Sequence, residues 1–239
     1  MKITVLGTGD TVGTPMVGCS CPVCTYAKEH GIQRLRTSIL LEHEGQHLLI
    51  DTTPDLRQQL LSAGSPHIDA IIWTHGHYDH IMGFPDFYRV QRETLQVYGA
   101  PEVLDYCGSI FTFIKHKENP VLPFEPVNIC GMEVTLFPVE HDTPTYGMRI
   151  SVDGKTFVYS CDTSANLSAE TLEHMKDADL LLLDGIFPAD VHIKKHMNIA
   201  DAEDLAEVLR AKEFWCVHMS HKIPFTYEHG ARDLQSWTL

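Results

Sequence analysis

The sequence has no long hydrophobic run, few basic residues and no break in composition. No stretch approaches the roughly 20 apolar residues of a membrane span, and the apolar run at the N-terminus is too short for a signal peptide. The 18 Lys and Arg residues against 32 Asp and Glu give a formal charge of −14, whereas proteins that bind the nucleic-acid backbone usually carry the opposite sign. We therefore expect a cytoplasmic protein with no membrane contact and no long nucleic acid as partner. A small anionic substrate remains compatible with this charge.

No linker, repeat or low-complexity segment divides the 239 residues, so we expect one domain over residues 1–239. Apolar patterns predict strands, and the pairs Glu44-Gly45 and Asp153-Gly154 predict hairpin turns. The predicted strands are 2–6, 38–42, 46–50, 69–73, 96–98, 133–137, 147–152, 156–160, 180–183 and 214–217. The predicted helices are 55–63, 101–114, 167–175 and 199–209, and 118–128 is predicted as an irregular loop. This distribution favours two sheets flanked by helices over a strictly alternating parallel fold.

Three of the seven cysteines, Cys19, Cys21 and Cys24, lie within six residues. In a chain without an export signal this crowding indicates a metal site rather than disulfides. With one more ligand the three thiolates would complete a tetrahedral zinc site of the structural type. A Cys21-x-x-Cys24 redox pair or free thiols are the alternatives. Redox pairs prefer a strand-to-helix setting, and the glycines and proline of residues 13–18 predict a loop here.

The predicted strand 69–73 leads into the segment His75-Gly76-His77-Tyr78-Asp79-His80. Residues two apart on an extended chain point the same way, so His75 and His77 can bind one ion. Asp79 and His80 follow, with a helix predicted from Ile81 onward, and can reach a second ion. Imidazole and carboxylate groups are the ligands that zinc and its neighbours prefer. The alternative interpretation is a polar loop with chance histidines.

Three further candidate ligands, His141, Asp162 and His218, each follow an apolar predicted strand. A carboxylate can bridge two ions, which suits Asp162. Taken alone, either histidine is better explained as a hydrogen-bonded structural residue. Their shared position at strand ends favours the metal interpretation.

The motif His-x-His-x-Asp-His, followed by a His, an Asp and a His, resembles the metallo-β-lactamase superfamily over residues 7–221. Leu49-Ile50-Asp51 also resembles its first motif, although Thr53 stands where a glycine is frequent. The resemblance implies an α/β fold, a four-layer αβ/βα sandwich of two mixed β-sheets flanked by helices, with the metals at one edge. It implies one ion on His75, His77 and His141, a second on Asp79, His80 and His218, and Asp162 between them.

The cysteine cluster narrows the resemblance to the branch that contains phosphoribosyl 1,2-cyclic phosphate phosphodiesterase. Gly7-Thr8-Gly9 and Cys161-Asp162-Thr163 match the same branch. The resemblance implies a structural zinc held by Cys19, Cys21, Cys24 and His221, which leaves His218 to the active site. It also implies hydrolysis of small, cyclic phosphodiesters with two divalent ions, Zn, Mn or Fe. A relative that handles a quinone cofactor precursor shares the cysteine motif, so the motif does not identify the substrate.

His196, just before the predicted helix 199–209, matches a catalytic histidine of this branch and is the predicted proton donor to the leaving group. A surface histidine near a helix start is the alternative. Asp79 is expected primarily to bind metal and also to orient the nucleophile. Asp51 and Asp184 are candidate carboxylates for orienting metal-bound histidines. Lys194 and Lys195 either meet a terminal phosphate or are solvated.

Three other functions stay open at this point. A lactone or thioester hydrolase uses the same kind of metal centre. A transfer-RNA 3′-processing nuclease resembles the chain at the metal loop, but no Gly- and Lys/Arg-rich arm for RNA is present. A non-catalytic metal-binding or sensor domain is disfavoured by the complete ligand set. The oligomeric state is also open, with a homodimer as one option.

Overall fold

The computed structural model describes residues 1–91 and 93–239. In this part of the chain the first sheet contains seven strands. In chain order they are β1 (Lys2–Gly7), β2 (Ser38–His43), β3 (Gln46–Ile50), β4 (Ala70–Ile72), β5 (Leu95–Gly99), β6 (His116–Pro120) and, from the C-terminus, β13 (Ser236–Thr238). Their spatial order is β13-β1-β2-β3-β4-β5-β6. Pairing is antiparallel from β13 to β3 and parallel from β3 to β6, so the sheet is mixed.

The second sheet, within the same described residues, contains six strands in the order β12-β11-β10-β9-β8-β7. They are β7 (Val127–Ile129), β8 (Met132–Pro138), β9 (Tyr146–Val152), β10 (Lys155–Tyr159), β11 (Leu180–Asp184) and β12 (Phe214–Val217). Strands β7 to β10 pair antiparallel, and β10, β11 and β12 pair parallel. Each sheet thus begins with antiparallel strands and continues with parallel ones. The predicted hairpin turns are present, since Glu44, Gly45, Asp153 and Gly154 all have positive φ.

The residues of β11 show how the layers are held together. All five of its residues are buried, which is why it reads as an unbroken apolar run. Leu180 and Leu182 belong to the large core cluster that contains residues of both sheets. Leu181 and Leu183 belong to a second cluster with residues of the helices on the outer face. The alternation of side chains along one strand therefore joins the inner core to the outer layer.

Six helices flank the two sheets in the described part of the chain. They are α1 (Pro22–His30), α2 (Leu56–Ser62), α3 (Tyr78–Ile81), α4 (Pro101–Ile110), α5 (Ala169–Met175) and α6 (Ile199–Val208). Helix α2 contacts β1 and α4 contacts β5 and β6, whereas α5 contacts β8 and α6 contacts β11 and β12. This arrangement confirms the four-layer αβ/βα sandwich. Among the described residues, none of the helices combines the length and the apolar character needed to cross a bilayer.

Some sequence-based boundaries were wrong, and each has a physical cause. The segment 118–128, predicted as a loop, carries the end of β6 and the start of β7. Both are edge strands, where exposed polar residues and Pro120 are tolerated and no apolar alternation develops. The helix expected from Ile81 onward instead begins at Tyr78 and ends at Ile81. The helix predicted over 101–114 ends at Ile110.

The cysteine segment is also partly helical. Helix α1 begins at Pro22, with Cys21 as its N-cap and Cys24 in its first turn. Proline is favoured at the first position of a helix because its missing N–H has no helical partner there. The glycines before Cys19 hid this signal. The loop interpretation was therefore correct only up to Cys21.

Candidate metal centres

The candidate ligands of the histidine loop lie at the carboxyl ends of strands from both sheets. His75 follows β4, Asp162 follows β10 and His218 directly follows β12. The short helix α3 carries Asp79 and His80. Because the ends of these parallel strands meet at one edge of the sandwich, residues far apart in the chain converge there.

Left-handed backbone conformations turn the chain at this edge. Asp51 directly follows β3 with a φ of 61°, Cys161 follows β10 with 57°, and His218 follows β12 with 56°. Such conformations cost on the order of 1–3 kcal/mol each for residues with a side chain. They persist here because buried neighbours hold them, and they direct the side chains of the strand ends toward one another.

The first ligand group has its donor atoms within 4.8 Å of one another. It consists of His75, His77, His141 and Asp162. His75 Nε2 lies 3.9 Å from Asp162 Oδ2, and His77 Nδ1 lies 3.2 Å from His141 Nε2. The structure thus brings together the residues that the resemblance assigns to the first ion.

The second ligand group meets the same distance limit and consists of Asp79, His80, Asp162 and His218. Asp162 Oδ2 lies 3.4 Å from His80 Nε2 and 3.2 Å from His218 Nε2. His218 Nε2 also lies 3.3 Å from Asp79 Oδ2. Asp162 belongs to both groups, which is the position that a bridging carboxylate requires. The ligand roles themselves stay predictions.

Unpartnered buried atoms show that these side chains fit metal ions. His75 Nε2, His80 Nε2 and Asp162 Oδ1 are buried without any hydrogen-bond partner. A buried polar atom left without a partner costs about 1–3 kcal/mol. All three atoms belong to the ligand groups, and divalent ions would satisfy them. The donor set of imidazoles and carboxylates is the one that zinc-type ions take.

The charges of the two groups differ when no ion is considered. Burial opposes the charged form of His80, but Asp162, Asp51 and Asp79 around it hold its pKa well above the usual value. The same competition raises the pKa of His218 to about 9. His75 is buried and lies beside His80, and its pKa falls well below the usual value. The carboxylates of the second group therefore favour positive charge on its histidines, whereas burial lowers the pKa of all three histidines of the first group.

Two buried carboxylates hold histidines at the site through their Nδ1 atoms. Asp51 Oδ2 accepts from His80 Nδ1 at 2.6 Å, and Asp184 Oδ2 accepts from His196 Nδ1 at 2.6 Å. The ring of His196 stacks on that of His218, with centroids 5.2 Å apart and an interplanar angle of 17°. Its centroid lies 4.8 Å from that of His141. Asp184 was expected to orient a metal ligand, but its shortest contact to a histidine is to the predicted proton donor.

A capping box places His196 in this position. The side chain of Asn198 accepts from the backbone N–H groups of Ala200 and Asp201, and Asp201 accepts from the N–H of Asn198. The cap anchors the start of α6, and His196 lies two residues before it with only 7% of its surface exposed. The surface interpretation of His196 was therefore wrong, and its role as proton donor stays a prediction.

The cysteine centre is a separate group at one end of α1. The donor atoms of Cys19, Cys21, Cys24 and His221 lie within 4.8 Å of one another. His221 Nδ1 lies 3.6 Å from Cys19 Sγ and 3.4 Å from Cys21 Sγ. The predicted loop ends at Cys21, which caps a helix, but residues 8–20 before this cap contain no strand, so the strand-to-helix setting of redox pairs is absent there. What favours a metal over a redox pair is the convergence of a fourth ligand from a distant segment.

The two centres share one segment of the chain, residues 218–221. Between the two candidate ligands, the Met219 N–H donates to Thr8 O, and Met219 O accepts from the Asp10 N–H. The Gly7-Thr8-Gly9 segment therefore lies alongside the ligand segment. A Cβ on Gly7 would come within 2.1 Å of Arg36 O, which explains the glycine.

Comparisons with known proteins identify the family. A family model described as beta-lactamase superfamily domain matches residues 46–219. The chain belongs to the metallo-β-lactamase superfamily. Members of this superfamily are hydrolases, and the assignment agrees with the two mixed sheets and the ligand-bearing edge.

The chain is also similar to three known proteins. The crystal structure of a diphosphatase of the PhnP family is 30% identical, with a TM-score of 0.87 over 100% of this chain and 97% of that one. Zn²⁺-bound PqqB from Methylobacterium extorquens shares the fold, with 22% identity and a TM-score of 0.84 over 100% of both chains. An octanoyltransferase of Porphyromonas gingivalis is 32% identical over 96% of this chain. The match spans only 48% of that relative's length.

Sequence reasoning missed two side chains of this metallo-β-lactamase site, Asp142 and Thr74. Asp142 Oδ1 lies 3.2 Å from His77 Nε2 and 3.3 Å from His141 Nε2, and Lys195 Nζ lies 2.6 Å from Asp142 Oδ2. Asp142 adjoins His141 in the chain, and that adjacency was the available signal. The buried Thr74, beside His75, was also overlooked. Lys194 and Lys195 are both exposed, and Lys195 has a carboxylate partner in Asp142.

Proposed function

We propose that this protein is a dinuclear-metal phosphodiesterase that hydrolyses small phosphodiesters, including cyclic ones such as phosphoribosyl 1,2-cyclic phosphate. One observation carries the proposal: two ligand groups share Asp162, and the Asp184–His196 pair packs against both of them. The full-length similarity to a diphosphatase of the PhnP family supports chemistry at phosphorus.

The residues that would hold the two ions follow the two groups of donor atoms that lie close together. His75, His77 and His141 would hold one ion, and His80, Asp79 and His218 the other, with Asp162 between them. When bound, such a pair of divalent ions supplies a nucleophile at neutral pH and offsets the charge that develops on the phosphoryl oxygens. Zn²⁺, Mn²⁺ and Fe²⁺ all suit a donor set of imidazoles and carboxylates.

His196 would move the proton that the leaving oxygen needs. Asp184 Oδ2 accepts the Nδ1 proton at 2.6 Å, so Nε2 is the ring atom left to exchange a proton with substrate. A histidine held in this way presents Nε2 to protonate an alkoxide as it departs.

The cysteine centre would hold a third, structural zinc. Its four donors are three thiols and one imidazole, the set that a closed structural zinc site takes, and such a site would leave no position for substrate. We expect elemental analysis of gently purified protein to find three metal ions per chain. A fully occupied preparation with one ion per chain would contradict the two-centre assignment.

The charge of the chain supports a small substrate. With a formal charge of −14, a long polyanion meets repulsion over most of the surface, whereas one phosphodiester need only reach the site. Nucleic-acid binding also weakens with salt through counterion release. Salt dependence therefore separates the two substrate classes.

The test compares substrates on protein loaded with Zn²⁺, Mn²⁺ or Fe²⁺. The panel is a five-membered ribose cyclic phosphate, a linear nitrophenyl diester, a diphosphate, a lactone, a thioester and a transfer-RNA precursor. We expect turnover of the diesters, abolished in Asp162→Asn. Turnover of the lactone or thioester without the diesters would replace the proposal with the alternative hydrolase. A clear preference for the RNA, weakened by salt, would favour a nuclease.

A further inference from the structure

Thr74 links the two ligand groups through its side-chain hydroxyl. It is fully buried between Asp51 and His75, which are themselves 1% and 0% exposed. Thr74 Oγ1 lies 2.8 Å from Asp51 Oδ2 and 2.9 Å from His75 Nδ1. Asp51 Oδ2 also accepts from His80 Nδ1 at 2.6 Å. A continuous chain of hydrogen bonds therefore runs from His75 through Thr74 and Asp51 to His80.

Counting donors assigns the direction of each bond. A hydroxyl has one proton, and a carboxylate only accepts, so the Thr74 hydroxyl donates to Asp51. Toward His75 the hydroxyl can then only accept, which requires the proton of His75 to be on Nδ1. The lone pair of His75 Nε2 is left bare, and that atom is buried without a partner. The ring thus presents its lone pair toward Asp162.

Asp51 is fixed in place by a further bond from the same threonine. The backbone N–H of Thr74 donates to Asp51 Oδ1 at 2.9 Å. The other neighbour of His75 Nδ1, the Cys161 thiol, lies at 3.6 Å and is a weaker acceptor. The hydroxyl is therefore the main partner of that nitrogen.

We propose that Thr74 is a positioning residue that sets the tautomer of His75 and ties one histidine of each ligand group to the single carboxylate of Asp51. His75 depends on Asp51 through Thr74, whereas His80 contacts Asp51 directly. Losing the hydroxyl should therefore weaken the first metal position selectively. Losing the Asp51 charge should weaken both positions. The proposal concerns metal binding, so it stands or falls independently of which substrate is hydrolysed.

The first experiment measures metal affinity rather than turnover. Zinc is removed with a mild chelator, and Zn²⁺ is returned in competition with a chromophoric chelator. Two zinc affinities are expected at this site, one for each ligand group. His77→Ala lacks a ligand of the first group and His218→Ala lacks a ligand of the second, so the affinity that each variant loses identifies the first and the second affinity class. Thr74→Val should weaken the first class by about 10–100-fold, the usual effect of losing such a supporting group. Thr74→Ser should restore it, and Asp51→Asn should weaken both classes.

Two controls distinguish the hydroxyl from general damage. Thr14 is also a buried threonine, but its Oγ1 has no hydrogen-bond partner, so Thr14→Val removes a hydroxyl without breaking a bond. It should leave both affinities unchanged. Cys161→Ala should also leave the first class intact. A loss in Cys161→Ala equal to that in Thr74→Val would show that the thiol is the partner of His75 and overturn the proposal.

A second experiment reads the tautomer directly. The ¹⁵N shifts of His75 in the zinc-free protein report which ring nitrogen carries the proton when Nε2 is free of metal. We expect the proton on Nδ1 in wild type and in Thr74→Ser. A proton on Nε2 of His75 in wild type, or unchanged affinities in folded Thr74→Val, would overturn the proposal.

Discussion

The two candidate metal centres differ in where their ligands come from. Three of the four ligands of the cysteine centre lie within six residues, and only His221 is distant. The histidine–carboxylate centre draws on segments spread from residue 75 to residue 218, at the ends of strands from both sheets. In the histidine–carboxylate centre the buried Asp51 carboxylate holds the candidate ligand His80. His77 and His141 are partly exposed, as are Cys19, Cys21 and His221 of the cysteine centre. A closed local set suits a structural ion, and a set converging from both sheets suits a site that works on substrate.

The largest expected effect is on the histidine centre. His77→Ala removes a ligand of the first group whose side chain is 35% exposed, so it leaves little cavity. Turnover should fall to background while the melting temperature stays near that of wild type. His67→Ala, with a side chain 53% exposed and outside both centres, is the matched control. Retained activity in His77→Ala would remove the first group from the mechanism.

The opposite pattern is expected at the cysteine centre. Cys24→Ser should lower stability strongly, since zinc binding at such sites contributes directly to folding free energy. Zinc content should drop by one ion per chain, and denaturant unfolding should no longer respond to a chelator as wild type does. Cys130→Ser, at a partly buried cysteine outside both centres, is the control. If Cys24→Ser melts like wild type and keeps all its zinc, the contrast between the centres fails.

His196→Ala tests whether the catalytic role extends beyond the ligands. The rate on a diester with a poor leaving group should fall by about 10²–10⁴-fold, the usual range for general-acid catalysis. The rate on a nitrophenyl diester should fall less, because nitrophenolate leaves without protonation. Asp184→Asn should act in the same direction, because it removes the carboxylate that holds His196 Nδ1. Equal losses on both substrates would leave His196 with a binding role only.

The smallest effect is a difference in thiol reactivity within the cysteine centre. The Cys24 N–H and His221 lower the pKa of Cys21 to about 6, whereas burial raises that of Cys24 to about 11. The reactive thiolate of Cys21 therefore accumulates as pH rises through about 6. In zinc-free protein, alkylation followed by peptide mapping should modify Cys21 with a midpoint near that pH and spare Cys24 below pH 9. Equal modification of both with zinc bound would contradict the metal assignment.

Local sequence patterns were sufficient to predict secondary structure where residues adjacent in the chain determine it. The hairpin turns, the buried strand β11 and the helix α5 were all predicted from such patterns. The edge strands β6 and β7 were not, because their pairing with a neighbour rather than their own composition makes them strands. Helix α1 has a proline signal, but the preceding glycines masked it.

The same division applies to the candidate site. The loop from His75 to His80 and the cysteine cluster are evident from spacing alone, since their ligands adjoin one another in the chain. Which of His218 and His221 joins which centre required family resemblance, and the distances agree with that division. The contacts of Asp142 and Thr74 with the site could be identified only from the tertiary structure, which brings the strand ends together. Ligand identity is local chemistry, whereas the contacts that orient a ligand depend on which strands lie side by side.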